Sequence, residues 1–272
     1  MTASETGSTA FSFTVLRPEA AQTETIDRRL ISEVPIAIEY NGIGYAVMMA
    51  TPINLEDFAI GFSLSEQLVD RVSEIAAISC HRADKGWIVR VQLPPEKAEK
   101  VYARARQRVS ESSCGLCGMD NLDEVMRDLP RVTAQLDVSD SAIFAALSAL
   151  RGHQKLNAAT GASHAAAFCA PDGAIIHIRE DVGRHNALDK VIGAIALSNS
   201  SAADGFLLLT ARCSFELVQK AILANCPMLV TISAATDLAA TTAATYGLRL
   251  ISLARPDSAL SACPQSGQST SF

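Results

Sequence analysis

Five short apolar runs separated by helix-like runs fill the chain beyond residue 160, and this alternation restricts the fold more than any other feature. The apolar runs are "HAAAFCA" (164–170), "AIIHIRE" (174–180), "FLLLTA" (206–211), "MLVTIS" (228–233) and "LRLISLA" (248–254). Between the later ones lie "HNALDKVIGAIALS", "SFELVQKAILAN" and "TDLAATTAATYG". Strands too short and apolar to have a wet face, alternating with helices, predict an α/β layer whose sheet is mainly parallel. "APDGA" (170–174) between the first two runs reads as an antiparallel turn, so the sheet is expected to be mixed. "SDSAIFAALSALRGHQKL" (139–156) adds a helix in front of it.

The first half reads differently. Asn41-Gly42 inside "VPIAIEYNGIGYAVMMATP" (34–52) is a two-residue hairpin signal. "NLEDFAIGFSLSEQLV" predicts a helix with Asn54 at its N-cap and Asp57 three positions on. A second hairpin is expected between Ile75 and Leu93, turning near Asp84-Lys85-Gly86. "PPEKAEKVYARARQRV" (94–109) follows as a helix whose C-terminal half carries Arg104, Arg106 and Arg108. Cations there suit the helix macrodipole as a solvated face, and they lead into a cysteine loop. The expected organisation is a loose tail over 1–10, a β-rich α+β region over 11–109, a cysteine-pair segment over 110–138, an α/β domain over 139–256 and a tail over 257–272.

Composition excludes several classes. A net charge of −6 argues against a bulk attraction to nucleic acid or anionic membrane. The longest uncharged run, residues 221–236, is broken by Asn225 and Pro227 and is shorter than the ~20 apolar residues of a membrane span. It reads as a helix end followed by a buried strand. The first residues have neither a basic nor an apolar signal region, so a soluble cytoplasmic protein is expected. Seven cysteines at scattered positions do not make a disulfide framework.

Only Cys114 and Cys117, in "SESSCGLCGMD" (110–120), sit among glycine and serine in a loop. A structural zinc site would need two more ligands, and Cys80, His81, His164 and Cys169 form no second tight pair. A zinc deaminase would need H-x-E and P-C-x-x-C, but "HAA" (164–166) and Ser113 stand in those places. A dithiol switch at a helix start would be opposed by Asp120, Asp123 and Glu124. A carrier thiolate on an accessible loop is a further alternative, and residue types alone leave these open.

Five stretches stand out together: "SSCGLCG" (112–118), "TGASHAAAF" (160–168), "EDVGRHNALDKVIG" (180–193), "RCSFELVQKA" (212–221) and "NGIGYAVMMATPINLEDFAIGFSLSE" (41–66). Through them the chain resembles the formate dehydrogenase accessory sulfurtransferases, the FdhD/NarQ family. The resemblance implies a cytidine deaminase-like fold and a sulfurtransferase acting as a sulfur carrier. It would accept sulfur from a cysteine desulfurase as a persulfide on Cys114, with Cys117 as partner. It would pass that sulfur to the molybdenum cofactor, as bis(molybdopterin guanine dinucleotide), before insertion into the formate dehydrogenase catalytic subunit. A homodimer is implied as well. Cofactor-binding positions carried over are Arg184, His185, Arg212 and Ser214, with the segment Leu253, Ala254, Arg255, Pro256, Asp257 and Ser258. No resident metal is implied. The alternatives to the carrier are a non-catalytic chaperone for the molybdenum cofactor and a zinc-stabilised scaffold. The residues themselves offer two competing roles for the 180–190 block. Arg184 and the helix amides could hold phosphate, or Arg184 could pair with Asp189 while His185 caps the helix.

Overall fold

The computed structural model describes residues 7–18, 24–110, 128–198 and 200–262, with the side chains of residues 100 and 105–110 left aside. Among these residues there are three sheets, of two, four and six strands. β1 (Ser8–Val15) and β2 (Glu24–Ile31) form an antiparallel ribbon, so Ser8, Thr9 and Ala10 belong to a strand and not to a tail. The small residues at its start fit a position where Gly7, with φ 69°, abuts Thr51 and Ile53.

β3 (Val34–Tyr40) and β4 (Ile43–Ala50) make the expected hairpin, with Asn41 and Gly42 at φ 48° and 83°. Positive φ at both turn positions is what Asn-Gly supplies. β5 (Ala77–Ala83) and β6 (Gly86–Gln92) form the second hairpin, and the sheet order is β4-β3-β6-β5. Its inner face is covered by α1 (Leu55–Ser65) and by Val101 of α2 (Pro95–Ser110). Asn54 precedes α1 as expected, but in the left-handed region and without a side-chain cap, so the capping box does not form. Asp57 instead reaches Arg179, 122 residues away. Nor is Arg104 merely solvated: its guanidinium donates to the carbonyl of Glu66 beyond the end of α1. The side chains of Arg106 and Arg108 lie outside the described residues.

The larger sheet is built from β7 (His164–Cys169), β8 (Ile175–Asp181), β9 (Phe206–Leu209), β10 (Met228–Thr231), β11 (Arg249–Ser252) and β12 (Leu260–Ser261). Their order is β12-β11-β10-β9-β7-β8. Only β9–β10 and β10–β11 are parallel; β7–β8, β7–β9 and β11–β12 are antiparallel. The sheet is therefore mixed, and the expectation of a mainly parallel one is corrected. The helical crossovers between β9, β10 and β11 force parallel pairing there, whereas the short turn after Cys169 permits only an antiparallel return.

One face is covered by α3 (Asp140–His153), through Ile143, Ala146 and Leu150. The short α4 (Lys155–Thr160) follows. The other face carries α5 (Arg184–Leu197), α6 (Phe215–Leu223) and α7 (Asp237–Tyr246). All four residues of β9 and of β10 are buried, so the run at 221–236 is a helix end and a core strand. No helix among the described residues is long and apolar enough to cross a membrane.

α1 and α5 join the two halves at close range. A Cβ on Gly61 would overlap the carbonyl of Asp189, and one on Gly193 would overlap that of Asp57. Glycine at both contact points is what lets the two backbones approach.

Candidate functional site at the carboxyl edge of the six-stranded sheet

Strand direction decides which loops meet. β8, β9, β10 and β11 end at one edge of the sheet, and β7, running the other way, begins there. That edge gathers His164, the turn Gly183–His185, the loop Thr210–Ser214, the loop Ile232–Thr236 and the segment Leu253–Ser258. It is the place where open α/β sheets bind ligands.

The turn after β8 is fixed from below. Asp181 and Lys190 are both 0% exposed, and Lys190 Nζ donates to Asp181 Oδ2 at 2.6 Å and to the Thr51 carbonyl at 2.9 Å. The same carboxylate accepts from Thr51 N, Gly183 N and Asn186 Nδ2. Asn186 also donates to the carbonyl of Met49. A buried ion pair needs its remaining hydrogen bonds satisfied; here those of Thr51 tie the pair to the end of β4, while those from Gly183 and Asn186 close the turn into α5. Burial lowers the affinity of Lys190 for its proton, and the adjoining Asp181 carboxylate opposes that shift.

Above this clamp the polar groups are left less complete. Arg184 and His185 are the first two residues of α5, and Gly183 at the N-cap offers no side chain. The buried Nε of Arg184 has no hydrogen-bond partner among the described residues. Asp189 does not pair with it, as one reading of the sequence allowed; it binds Lys220 at 2.7 Å and Ser65 at 2.8 Å. Nor does His185 cap its own helix. Its Nε2 lies 2.7 Å from Glu216 Oε2 and 3.4 Å from Ser214 Oγ, joining the start of α5 to the start of α6. Because both partners share one ring nitrogen, the three side chains are not a Ser-His-Glu relay.

Ser214 is the N-cap of α6 with extended backbone, yet its side chain makes no cap bond. The hydrogen bond from His185, and then the charges of His185, Lys220 and Arg184, hold the Glu216 carboxyl below its usual range. His164 is likewise held below the usual imidazole range, first by burial and then by the charge of Arg184. Arg212 is exposed beside Ser214, while Cys213 between them is 0% exposed with its thiol pushed up to about 12 by burial.

The segment after β11 is placed at the same edge. Leu253 takes φ 49° and donates through its amide to the carbonyl of Ser233. Ala254 is buried in the core, so its side chain faces inward. The Arg255 amide closes a turn on the Ser258 carbonyl at 2.7 Å, leaving Arg255, Pro256, Asp257 and Ser258 exposed. Cys114 and Cys117 lie outside the described residues. The chain that follows them is anchored at the opposite edge. Val132 N donates to Tyr246 O there, and Asn225 Oδ1 accepts from Thr133 and Ala134. Pro130 lines a cavity of about 500 Å³ with Leu64, Ile192, Ile195 and Lys220. Its far end at Ile195 is about 16 Å along α5 from Arg184, and it comes nearest the carboxyl-edge cluster at Lys220, one turn of α6 beyond Glu216.

Glu216, and His164 as a member of the cluster, were not singled out as site residues by the sequence. A glutamate in the first turn of a helix is ordinary, and only the packing of α5 beside α6 shows what it touches. The four zinc co-ligands considered above are divided between β5 and β7, on separate sheets, and no metal cluster forms among the described residues.

Residues 31–261 match the profile of the FdhD/NarQ family. The chain is 43% identical over 242 residues to the "Sulfur carrier protein FdhD" of Xanthomonas axonopodis pv. citri, covering 89% of this chain and 86% of that one. It is 42% identical over 225 residues to the protein of that name from Variovorax paradoxus, covering 83% and 81%. The fold is similar to the crystal structure of a putative formate dehydrogenase accessory protein from Desulfotalea psychrophila, with TM-score 0.75 at 22% identity over 95% of this chain and 98% of that one. The profile spans the four- and six-stranded sheets, the α1–α5 contact and the clamped turn that presents Arg184 and His185, and on that extent of agreement the chain belongs to the FdhD/NarQ family.

Proposed function

We propose that this protein is a sulfur carrier serving formate dehydrogenase, with Cys114 as the carrying thiol. The observation that carries this reading is the state of the other thiols. Cys169, Cys213 and Cys226 are buried, and burial pushes each up to about 12. Cys80 is exposed, but partial burial and Glu56 raise its thiol as well. A persulfide is formed by a thiolate, so these four are poor acceptors. That leaves the cysteine pair at 114 and 117, outside the described residues, as the proposed acceptor, and relatives at 42–43% identity bear the name of sulfur carriers.

In the proposed reaction the Cys114 thiolate attacks the terminal sulfur of a persulfide on a cysteine desulfurase. The donor's sulfur–sulfur bond breaks and its cysteine leaves as a thiolate. Attack by Cys117 on the inner sulfur of the Cys114 persulfide would then release hydrosulfide and leave a disulfide. The acceptor is the molybdenum cofactor in its bis(molybdopterin guanine dinucleotide) form, a polyanion. Its phosphates suit the carboxyl edge: two helix starts without side-chain caps, a buried Arg184 Nε without a partner among the described residues, and His185 between them. Ser214, Arg212 and the turn Arg255–Ser258 border the same place. The family's homodimer and a cytoplasmic location belong to this proposal too.

The test is mass spectrometry of the protein after incubation with a cysteine desulfurase and cysteine. A gain of one sulfur atom is expected, absent in Cys114→Ala and largely kept in Cys117→Ala. An undiminished gain in Cys114→Ala moves the carrier elsewhere.

A further inference from the structure

We propose that Glu216 is a resident anion in the carboxyl-edge site, and that its competition for His185 determines which anionic ligands the site accepts. The proposal rests on reading this edge as the seat of the cofactor's phosphates. Glu216 is the second residue of α6, and its carboxylate lies 2.7 Å from His185 Nε2. His185 is its only hydrogen-bond partner among the described residues, and Arg184 is close enough to add to the field that holds it ionised. These are the two side-chain nitrogen donors that an incoming phosphate would use.

The remaining geometry favours a displaceable group over a structural one. The Glu216 side chain is 62% exposed, so swinging away costs little buried contact. Lys220, one turn along the same helix, does not hold it, because both Asp189 oxygens engage that ammonium at 2.7 and 2.8 Å. Ser214 Oγ, 3.4 Å from the same imidazole nitrogen, is placed to take up the contact when the carboxylate leaves. A ligand must therefore offer more than one weak contact to replace Glu216. A lone inorganic phosphate competes poorly, whereas a diphosphate attached to a nucleoside adds contacts that Glu216 cannot match. The carboxylate filters by the size and charge of the anion.

The experiment is isothermal titration of the full-length protein with guanosine diphosphate, pyrophosphate and inorganic phosphate, comparing wild type with Glu216→Gln, Glu216→Ala and Arg184→Ala. Both Glu216 substitutions should tighten all three ligands about three- to tenfold at low salt, the largest proportional gain falling on inorganic phosphate. The gain should shrink as salt rises. Unchanged or weakened pyrophosphate binding in Glu216→Gln, with Arg184→Ala still weakening it, overturns the role of Glu216 alone. A loss confined to guanosine diphosphate overturns it as well, and assigns Glu216 to the nucleoside. No binding to wild type or to Glu216→Gln removes the phosphate reading of this edge together with the filter.

Discussion

α6 and α7 begin at the same edge of the same sheet, each after a parallel strand and each on a hydroxyl residue, yet the two starts differ. At α7 the Thr236 hydroxyl accepts from Ala239 N at 3.2 Å, and the helix is capped by its own sequence. At α6 the Ser214 hydroxyl faces His185, and the cap bond is not made. α5, beside α6, begins on a glycine and has no side-chain cap either. Helix starts lacking their cap keep amide donors and a positive field available to an anion. The difference separates a finished edge near α7 from an unfinished one between α5 and α6, and it locates the candidate site at the latter.

Three measurements can break or sharpen this contrast, the largest effect first. Arg184→Ala should weaken guanosine diphosphate by about 1.5–3 kcal/mol, the worth of a charge-assisted contact, with little change in stability. A drop in thermal stability with binding intact would return Arg184 to a structural role and close the gap between the two helix starts. Next, Thr236→Ala should cost about 1 kcal/mol in denaturant unfolding, as loss of a working cap does. Ser214→Ala should stay within about 0.5 kcal/mol of wild type. Equal costs would mean that both hydroxyls cap, and the contrast would fail.

The smallest effect concerns pH. His164 has its folded-state affinity for protons lowered, so the unfolded chain binds a proton that the folded one resists. Its contribution is complete above the ordinary histidine range and should be lost as pH falls through about 6.5 toward the depressed folded value. Thermal melts between pH 7.5 and 5 should show that slope, and His164→Gln should flatten it. Saturating pyrophosphate should oppose the slope by favouring the protonated ring. An identical profile in His164→Gln would take His164 out of the cluster.

Much of this was legible from residue types and spacing. The Asn41-Gly42 turn, the second hairpin, the strand–helix alternation beyond residue 160 and the antiparallel turn at 170–174 all rest on local chemistry, and they appear where local chemistry places them. Pairing direction was less legible. Short buried strands read alike whether their neighbours run with or against them, so the antiparallel β7–β9 and β11–β12 pairings were not anticipated. The start of the chain misled for a related reason. Small polar residues carry no alternation signal, and Ser8–Ala10 are held in β1 by pairing with residues about twenty positions away.

The sequence by itself determined the family, through long motif blocks, and the elements whose signals lie within a few residues of one another. Tertiary structure alone decided which charges pair. The block around Arg184 and Asp189 offers an ion pair on paper, but Asp189 is taken by Lys220 and Ser65 and Asp181 by Lys190, Thr51 and Asn186. The reason is that a charge removed from water is satisfied by whatever donors the packing delivers. Those donors come from segments up to 130 residues away in sequence, as Thr51 does for Asp181. What the packing leaves over, the Arg184 Nε and the helix start that Ser214 does not cap, is a property of the fold that no stretch of the chain contains.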